Sequence, residues 1–452
     1  MFQTIANAWK IADLRKKMLY TCLIVLIFRI GSAIPVPFTN IGEAGIIGDP
    51  NAGTFMNYLS MMTGDAFNYG TIFAMSITPY INSSIIMQLL AVAIPALERL
   101  QKEGEEGRKK IASITRFVTI VLGLLQSTAY YFYLRSQNYL VTNAAGSQFT
   151  GFAAVFQAIV IILCFTAGTA LIMWLGERIN DKGIGNGISI ILFAGIVSRI
   201  PTLIASLYSP KTGYIRYGGP YYVLTPIVGI ILLLMIAYIV WMDNAERRIP
   251  IQYAKRVVGR KMYGGQNTHM PIKVNMSGVM PIIFASSILS LPPTIQMFIG
   301  NKIEENSGWD KFFSLFTSDH WAYAIIYFVF IIAFGYFYAS IQYNPIEMSK
   351  NIRENGGSIP GVRTDKTEEY LQKILNRLIL PGSLFLAFIA IVPTIIQNLF
   401  NFPQSVAMLM GGTSLIIMIG VDLDTMSQVE ALLKMHHADG LVKKGKLRSR
   451  NL

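Results

Sequence analysis

Apolar stretches of nearly membrane-spanning length recur along the whole chain, and no other feature of the sequence constrains the fold as strongly. A helix needs about 20 predominantly apolar residues to cross the hydrocarbon core of a bilayer. The sequence therefore predicts an all-α polytopic membrane protein with ten transmembrane helices. The ten stretches cover residues 18–34, 71–94, 114–134, 152–175, 187–207, 223–242, 274–292, 321–341, 374–396 and 405–423.

The composition supports a membrane environment. Only 14% of the 452 residues are charged, 53% are hydrophobic, and the mean hydropathy is +0.46. Soluble domains carry about 25% charged residues. A deficit of this size excludes a chain that is surrounded by water on all sides, so we expect much of its surface to face lipid.

The seventh stretch, 274–292, is the weakest of the ten. Pro281 breaks it, and Ser277, Ser286 and Ser287 lie inside it. Polar or irregular backbone is not tolerated against lipid. We therefore expect this stretch to pack within protein or to line a cavity.

The basic residues are distributed asymmetrically among the segments that connect the stretches. The N-terminus, the even-numbered loops and the C-terminal tail hold 31 of the 38 Lys and Arg residues when Arg116 and Arg377, at the adjoining stretch ends, are counted with them. The odd-numbered loops hold six when Arg199 is counted with its adjoining loop, and Arg29, inside the first stretch, is the remaining one. Because cytoplasmic segments are enriched in Lys and Arg, both termini are predicted to be cytoplasmic, which agrees with an even number of spans.

No motif for catalysis, metal binding or cofactor binding is evident in the sequence. Gly183, Gly185 and Gly187 resemble part of a dinucleotide fingerprint, but an apolar span precedes them instead of the strand that this fingerprint requires. A tight turn between two helices is the better interpretation. Cys22 and Cys164 lie inside apolar stretches and are interpreted as packed thiols. The chain is therefore predicted not to be an enzyme, and no cofactor is expected.

One apolar stripe admits more than one interpretation. Ile77, Ile81 and Ile85 are spaced by four residues, so they share one helix face. The spacing alone favours lipid contact or helix packing. Gln88 continues the stripe, and a polar amide at this depth needs a partner, so we expect the helix to face protein at least in part.

The loops 243–273 and 342–373 are long and basic, and two interpretations of them stay open. Solvated charges that obey the positive-inside rule explain most of the basic residues. The alternative is that the loops dock a large anionic partner, since the first loop has enough cations to engage phosphates. Those cations are Arg247, Arg248, Lys255, Arg256, Arg260 and Lys261.

Several longer motifs occur in a distinctive order along the chain. They are Ser76-Ile-Thr-Pro-Tyr-Ile81 with Ser84-Ile-Ile-Met-Gln-Leu-Leu90, Trp174-Leu-Gly-Glu-Arg178, Gly183-Ile-Gly-Asn-Gly-Ile-Ser189, Tyr253-Ala-Lys-Arg256, Pro271-Ile-Lys-Val-Asn275, Asn344-Pro345, Ile359-Pro-Gly-Val-Arg363 and Gly411-Gly-Thr-Ser414. In this order and at this spacing, the set resembles the SecY/Sec61-alpha family over essentially the whole chain.

The resemblance implies ten helices in two pseudo-symmetric five-helix halves around a central hourglass pore. It implies an N-terminal half over 18–207 and a C-terminal half over 208–430, flanked by a cytoplasmic N-terminus, 1–17, and a cytoplasmic tail, 431–452. Motif by motif, the apolar ring at the waist of the pore falls on Ile77, Ile81, Leu192, Ile283 and Ile417. A ring of apolar side chains can yield around a passing peptide and can exclude water and ions by dewetting.

The resemblance also implies a plug and a lateral gate. The plug, at about 55–65, would seal the pore from outside with Phe55, Met56, Tyr58, Leu59, Met61 and Met62. The lateral gate would open between spans 2 and 7, where apolar segments could leave for the lipid bilayer. Its candidate polar contacts are Gln88, Ser286 and Ser287, although packing explains these residues equally well.

The implied function is that of the pore-forming subunit of a protein translocase in the bacterial plasma membrane. The implied partners are small SecE-like and SecG-like membrane subunits, the SecA motor ATPase, the ribosome and polypeptides that bear signal sequences. The candidate docking residues are Arg247, Lys255, Arg256 and Arg363. Two alternatives are an ion-coupled secondary transporter, which would need buried charged coupling residues, and a membrane-embedded enzyme, which would need a catalytic cluster.

Overall fold

The computed structural model describes residues 2–41, 63, 66–142, 149, 151–201, 221–253, 256–258, 261–263, 267–289, 292, 295, 308–316, 321–400 and 412–444. The first helices are α1 (Phe2–Lys10), α2 (Ala12–Gly31), α3 (Thr78–Ala93), α4 (Pro95–Lys102), α5 (Glu105–Ser136), α6 (Phe152–Lys182) and α7 (Gly187–Val197). The remaining helices are α8 (Tyr221–Asp243), α9 (Met280–Leu289), α10 (Gly308–Ser314), α11 (Trp321–Gln342), α12 (Pro345–Glu354), α13 (Thr367–Phe400) and α14 (Gly412–Lys444).

Each of the ten predicted stretches contains a helix. Among the described residues, four helices are long and apolar enough to cross a membrane, namely Glu105–Ser136, Phe152–Lys182, Trp321–Glu354 and Thr364–Pro393. A fifth span results if Thr78–Ala93 and Pro95–Gln101, which meet at a bend of 107°, count as one. The helices Gly187–Val197, Gly229–Asp243 and Met280–Leu289 are apolar but shorter. The count of ten spanning helices stays a prediction.

The second predicted stretch is helical only in its later part. Its helix, α3, begins at Thr78, whereas the sequence predicted a start at residue 71. Ser76 has a φ of +48°, a left-handed conformation that cannot continue a helix, and Pro79 is suited to the first turn of one. The preceding residues, 66–77, therefore form turns and bridges.

The chain divides into two compact units. The first comprises Met1–Ser206, Thr294–Ser307 and Ile417–Leu452, and the second comprises Leu207–Pro293 and Gly308–Ile416. The predicted limits of the two halves, 18–207 and 208–430, stay a prediction.

In the first unit, the 66–77 segment packs against residues 34–41 and against α5 and α6. The backbone N–H of Ile72 donates to the Ile34 carbonyl at 3.0 Å, and that of Val36 donates to the Gly70 carbonyl at 3.1 Å. The buried hydroxyl of Tyr130 on α5 donates to the Phe67 carbonyl at 2.6 Å. These bonds satisfy backbone groups that no helix satisfies, so irregular chain can be buried here.

The second unit carries a small antiparallel sheet in the loops that flank its helices. Strands β1 (Glu246–Tyr253) and β4 (Asn267–Lys273) pair along their length, and β5 (Gly357–Ser358) pairs with the end of β1, giving the order β4-β1-β5. A separate hairpin joins β2 (Arg256–Val258) to β3 (Lys261–Tyr263).

These strands were not predicted from the sequence, although β1 carries the alternating pattern of a strand. Ile249 and Ile251 are buried, while Pro250 and Gln252 between and after them are exposed. This alternation is the period-two pattern of a half-buried strand. The inner face covers an apolar core made by residues from both long loops and from α13, namely Ile249, Ile251, Ile272, Ile352, Ile359, Leu371 and Leu375.

A close backbone approach in the first unit generates a stability prediction. A methyl group on Gly168 of α6 would collide with the carbonyl oxygen of Ile72. We therefore expect Gly168→Ala to lower the unfolding temperature of the protein purified in detergent, because overpacking of this kind costs about 1–3 kcal/mol.

Gly229→Ala is the matched control for Gly168→Ala. Gly229 also lies inside an apolar helix, but a methyl group there meets nothing within 4 Å. This variant should keep or raise the unfolding temperature, since alanine favours a helix over glycine by about 1 kcal/mol. Equal unfolding temperatures for the two variants would contradict the close packing of α6.

Candidate pore and docking residues

Two of the five candidate ring residues lie at the start of α3. Ile77 is the N-cap residue of this helix, and the Ile81 backbone N–H donates to the Ile77 carbonyl at 3.0 Å, so the two side chains stand one turn apart. Both side chains are buried, with 1% and 8% of their surface exposed. The face that carries Ile77, Ile81 and Ile85 is therefore packed against protein rather than exposed to lipid.

The other ring candidates divide between the two units. Leu192 on α7 and Ile417 on α14 are buried in the first unit. Ile283 lies on α9 in the second unit and is half-buried. The ring of five stays a prediction.

A hydrogen bond that the sequence analysis missed ties α3 to α5. The hydroxyls of Ser83 and Thr119 lie 2.5 Å apart, and both residues are fully buried. Each hydroxyl also lies within hydrogen-bond distance of a carbonyl on its own helix, Ser83 of Tyr80 at 2.9 Å and Thr119 of Thr115 at 2.7 Å, so either hydroxyl can be the donor of the shared bond. The bond fixes the helix of Ile77 and Ile81 to its neighbour. No sequence signal pairs these two residues, because 36 positions separate them.

Two of the three polar candidates for the lateral gate make hydrogen bonds within their own helices. Gln88 donates through Nε2 to the Ser84 hydroxyl at 3.3 Å on α3. Ser286 is buried and donates to the Ile283 carbonyl at 3.0 Å on α9. Ser287 is half-buried on the same helix. The Gln88 and Ser286 bonds each lie within one helix. The assignment of the three residues to a gate seam stays a prediction.

The plug candidates and one docking candidate lie outside the described residues. They are Phe55, Met56, Tyr58, Leu59, Met61, Met62 and Lys255. Their roles stay predictions.

The glycine-rich segment between α6 and α7 is a tight turn whose backbone donors are occupied. Side chains of this chain accept from four N–H groups of the turn, which are then not available to a phosphate. The N–H groups of Ile184, Gly185, Gly187 and Ile188 donate to Thr21 Oγ1 (3.1 Å), Gln428 Oε1 (2.9 Å), Asn180 Oδ1 (2.7 Å) and Asn186 Oδ1 (3.1 Å), respectively. The geometry therefore supports the turn and argues against a dinucleotide site.

The same turn lies on a small apolar core at the ends of several helices. Ile184 packs with Ala8 of α1 and Leu14 of α2, and with Val429 and Leu433 of α14. The turn is thereby held both by apolar contacts and by the hydrogen bonds of Thr21 and Gln428. These partners lie far from the turn in sequence, which is why the sequence analysis did not identify them.

The described part of the chain lacks the buried charges that ion coupling would need. None of the Asp, Glu, Lys, Arg or His residues whose side-chain burial the structure describes is fully buried. Asp422, a candidate at the end of the tenth stretch, is exposed on α14. No group of three His, Cys, Asp or Glu residues in these described ranges could hold a metal ion.

In the first long loop, two candidate docking arginines lie on strands. Arg247 lies on β1, is exposed, and has Ile272 of β4 as its cross-strand partner. Arg256 lies on β2 opposite Tyr263. A neighbouring arginine, Arg248, is paired with Glu246 at 2.7 Å. Arg247, Arg248 and Arg256 thus lie on strands, whose pairing fixes their backbone positions.

In the second long loop, a proline–glycine turn precedes Arg363. The Val362 N–H donates to the Ile359 carbonyl at 3.2 Å, and Gly361 has a φ of +82°. Pro360 and Gly361 thus occupy the positions that a type II turn prefers for these two residues. Ile359 anchors the turn because its side chain is only 3% exposed in the core below the sheet.

The side chain of Arg363 extends from this turn into solvent. It is 82% exposed, and its nearest carboxylate oxygen, on Asp365, is 4.0 Å away. Its backbone carbonyl accepts from the Lys366 N–H at 2.9 Å and from the Thr367 hydroxyl at 3.5 Å. A fixed backbone thus carries a cation that extends into solvent, which is an arrangement suited to contact with a partner.

The β1–β5 pairing joins the two long loops into one body. Gln252 and Tyr253 of the first loop pair with Ser358 and Gly357 of the second. The strands approach closely at Gly357, where a methyl group would lie 3.0 Å from the Ile251 side chain and 3.1 Å from that of Tyr253. The candidate docking residues Arg247 and Arg363 therefore belong to one folded platform.

Tryptic cleavage after Arg363 reports how firmly the Pro360–Gly361 turn holds this residue. We expect Gly361→Val to increase the rate of tryptic cleavage after Arg363 in native membranes, because valine strongly disfavours a positive φ and the turn would loosen. Gly361→Asn should be cleaved at close to the parent rate, since asparagine tolerates the left-handed region. Equal cleavage of the valine variant and the parent would show that the turn does not hold Arg363.

Comparisons with known proteins give consistent matches. The SecY family model matches residues 71–426. Protein translocase subunit SecY of Streptomyces galbus is 40% identical over 452 residues, which cover 98% of this chain and 100% of that protein.

One solved structure with the same fold is a SecY protein whose plug domain stabilises the closed state of the translocation channel and maintains a membrane seal. It has a TM-score of 0.62 at 19% identity, over 94% of both chains. Sec61 from the canine ribosome–channel complex of the endoplasmic reticulum has a TM-score of 0.60 at 18% identity, also over 94% of both chains. These likenesses confirm the fold class that the sequence predicted.

Proposed function

This chain belongs to the SecY family, and we propose that it works as the pore-forming subunit of a protein translocase. It conducts unfolded secretory polypeptides across the membrane and releases transmembrane segments sideways into lipid. The observation that carries this function is the full-length match to a protein translocase subunit. A subunit of this kind is a multi-pass membrane channel and not an enzyme by itself.

The buried apolar face of α3 supports a pore role for its residues. Ile77 and Ile81 lie one turn apart, and the Ser83–Thr119 bond holds their helix in place. We assign the pore ring to these two residues together with Leu192, Ile283 and Ile417. Branched apolar side chains can move around an extended peptide and return, and between passages a dewetted constriction resists ions.

The plug and the lateral gate are further parts of the proposal. A related SecY structure has a plug domain that maintains a membrane seal, which supports a plug at about residues 55–65 here. Gln88, Ser286 and Ser287 are assigned to the seam between α3 and α9. A segment that reaches this seam would enter lipid according to its apolar area, at about 0.8 kcal/mol per buried methylene group.

The partners of the chain are proposed from its relatives and from the platform of the second unit. Sec61, which shares the fold, occurs in a ribosome–channel complex, which supports the ribosome as a partner. We place ribosome and SecA docking on Arg247, Lys255, Arg256 and Arg363. SecE-like and SecG-like subunits complete the proposed complex, and polypeptides with signal sequences are its substrates.

The proposed setting is the bacterial plasma membrane with both termini in the cytoplasm. The excess of Lys and Arg in the even-numbered loops supports this orientation. It places the sheet platform on the cytoplasmic side, where a ribosome or a motor would reach it. The transporter alternative loses support, because the described residues include no fully buried charge.

Photo-crosslinking tests the proposed function. A photoreactive amino acid at Ile81 or Ile283 should form adducts with a stalled secretory polypeptide in membrane vesicles, because both residues would line its path. Leu233 is the matched control, since it is 65% exposed on the apolar helix α8 and should react with lipid only. If Ile81 and Ile283 give lipid adducts alone, the pore assignment is wrong.

Charge reversal tests the docking role of Arg363. Arg363→Glu should reduce motor-driven translocation in proteoliposomes by about tenfold, which corresponds to a loss of about 1.4 kcal/mol in a charge-assisted contact. Lys350→Glu reverses another exposed charge in the same loop and should leave translocation within about twofold of the parent, because exposed pairs contribute little. Normal translocation by Arg363→Glu at normal expression would remove this residue from the docking site.

A further inference from the structure

Arg353 makes a hydrogen bond that helix stability alone does not require. It lies in the last turn of α12, and its Nη2 donates to the backbone carbonyl of Thr364 at 2.6 Å, across eleven positions of the chain. The neighbouring carboxylate, Glu354, is paired with Lys350 at 3.8 Å. The guanidinium of Arg353 thus bridges from α12 to the residue that follows Arg363.

The segment around Arg363 is anchored on both sides. On one side, Ile359 is buried in the core below the sheet and begins the proline–glycine turn. On the other side, the Thr364 carbonyl is held by Arg353. Arg363 lies between the two anchors, so its backbone is fixed while its side chain extends into solvent.

The base of this bridge is itself rigid. Ile352, next to Arg353, is 6% exposed and packs in the same core as Ile359. A continuous set of contacts therefore runs from that core through Arg353 to the Thr364 carbonyl. Fixing the backbone of a contact residue before binding removes part of the entropy cost of association.

We propose that Arg353 is a positioning residue for Arg363. It presents the Arg363 guanidinium to a carboxylate on a protein partner, the motor ATPase. The inference rests on the docking role proposed above for Arg363. Asp365 lies 4.0 Å from Arg363, and Glu368 and Glu369 follow in the first turn of α13. Glu369 is paired with Lys373 at 2.8 Å. Asp365 and Glu368 disfavour the continuous negative charge of an RNA backbone beside Arg363, whereas one bidentate arginine–carboxylate contact is compatible with them.

A double-mutant cycle separates positioning from general stability. Arg353→Met removes the guanidinium but keeps the apolar stem, and it should raise the motor concentration that half-saturates translocation by about three- to tenfold, with kcat nearly unchanged. In an Arg363→Ala background, the same change should have less than about a twofold effect, because residues that act through one contact are not additive.

Two further variants and a cleavage assay complete the experiment. Arg353→Lys keeps a donor for the Thr364 carbonyl and should restore at least half of the lost affinity for the motor. Lys350→Met removes a cation from the same helix and should stay within about twofold of the parent. Tryptic cleavage after Arg363 should be several-fold faster in Arg353→Met than in Lys350→Met, a readout that does not depend on translocation.

The possible results distinguish this inference from the function on which it rests. If Arg363→Ala impairs translocation but Arg353→Met changes neither the motor affinity nor the cleavage rate, positioning by Arg353 is wrong and the docking role of Arg363 stands. If Arg353→Met acts equally with and without Arg363, it works through another contact and the proposal is overturned. If Arg363→Ala has no effect, both the docking role and the positioning role are wrong. If Arg353→Met weakens ribosome binding and leaves the motor affinity unchanged, the positioning proposal is also overturned.

Discussion

Backbone groups in a bilayer must find their hydrogen-bond partners within the protein, and the rest of this structure depends on that constraint. Where the chain is helical, the helix itself supplies the partners. Where the helix stops at membrane depth, other segments must supply them. The 66–77 segment meets the requirement through backbone bonds to residues 34–41 and through the Tyr130 hydroxyl. These backbone groups of the irregular chain before Ile77 are therefore satisfied inside the protein.

The turn between α6 and α7, which the charge pattern assigns to the cytoplasmic side, satisfies its backbone with side chains. Thr21, Asn180, Asn186 and Gln428 accept from four of its N–H groups. The glycines that look like a nucleotide fingerprint serve close packing instead, since a methyl group on Gly187 would collide with the Gly176 carbonyl oxygen. The same residue types can therefore build a phosphate site or a helical turn, and the partner of each N–H distinguishes the two.

Outside the helices, the second unit uses a sheet to build a rigid platform in a region that the sequence presents as two basic loops. Burial of Ile249 and Ile251 holds the strands against α12 and α13, and the β5 pairing joins the loops. Charges such as Arg363 then extend from a fixed backbone. A platform of this kind orders its contact residues before a partner arrives, which lowers the entropy cost of docking.

The sequence by itself determined the membrane environment, the helical class, the places of the helices and the family, because hydropathy and long motifs are local properties of the chain. Ile77 and Ile81 could be placed on one helix face from their spacing, and the Pro360–Gly361 turn carries its own local signal. Only the tertiary structure decided that α3 begins at Thr78, that Ser83 bonds to Thr119, and that the basic loops form a sheet. Those outcomes depend on partners that are distant in sequence, such as Gln428 for Gly185 across 243 positions, and no local pattern specifies them.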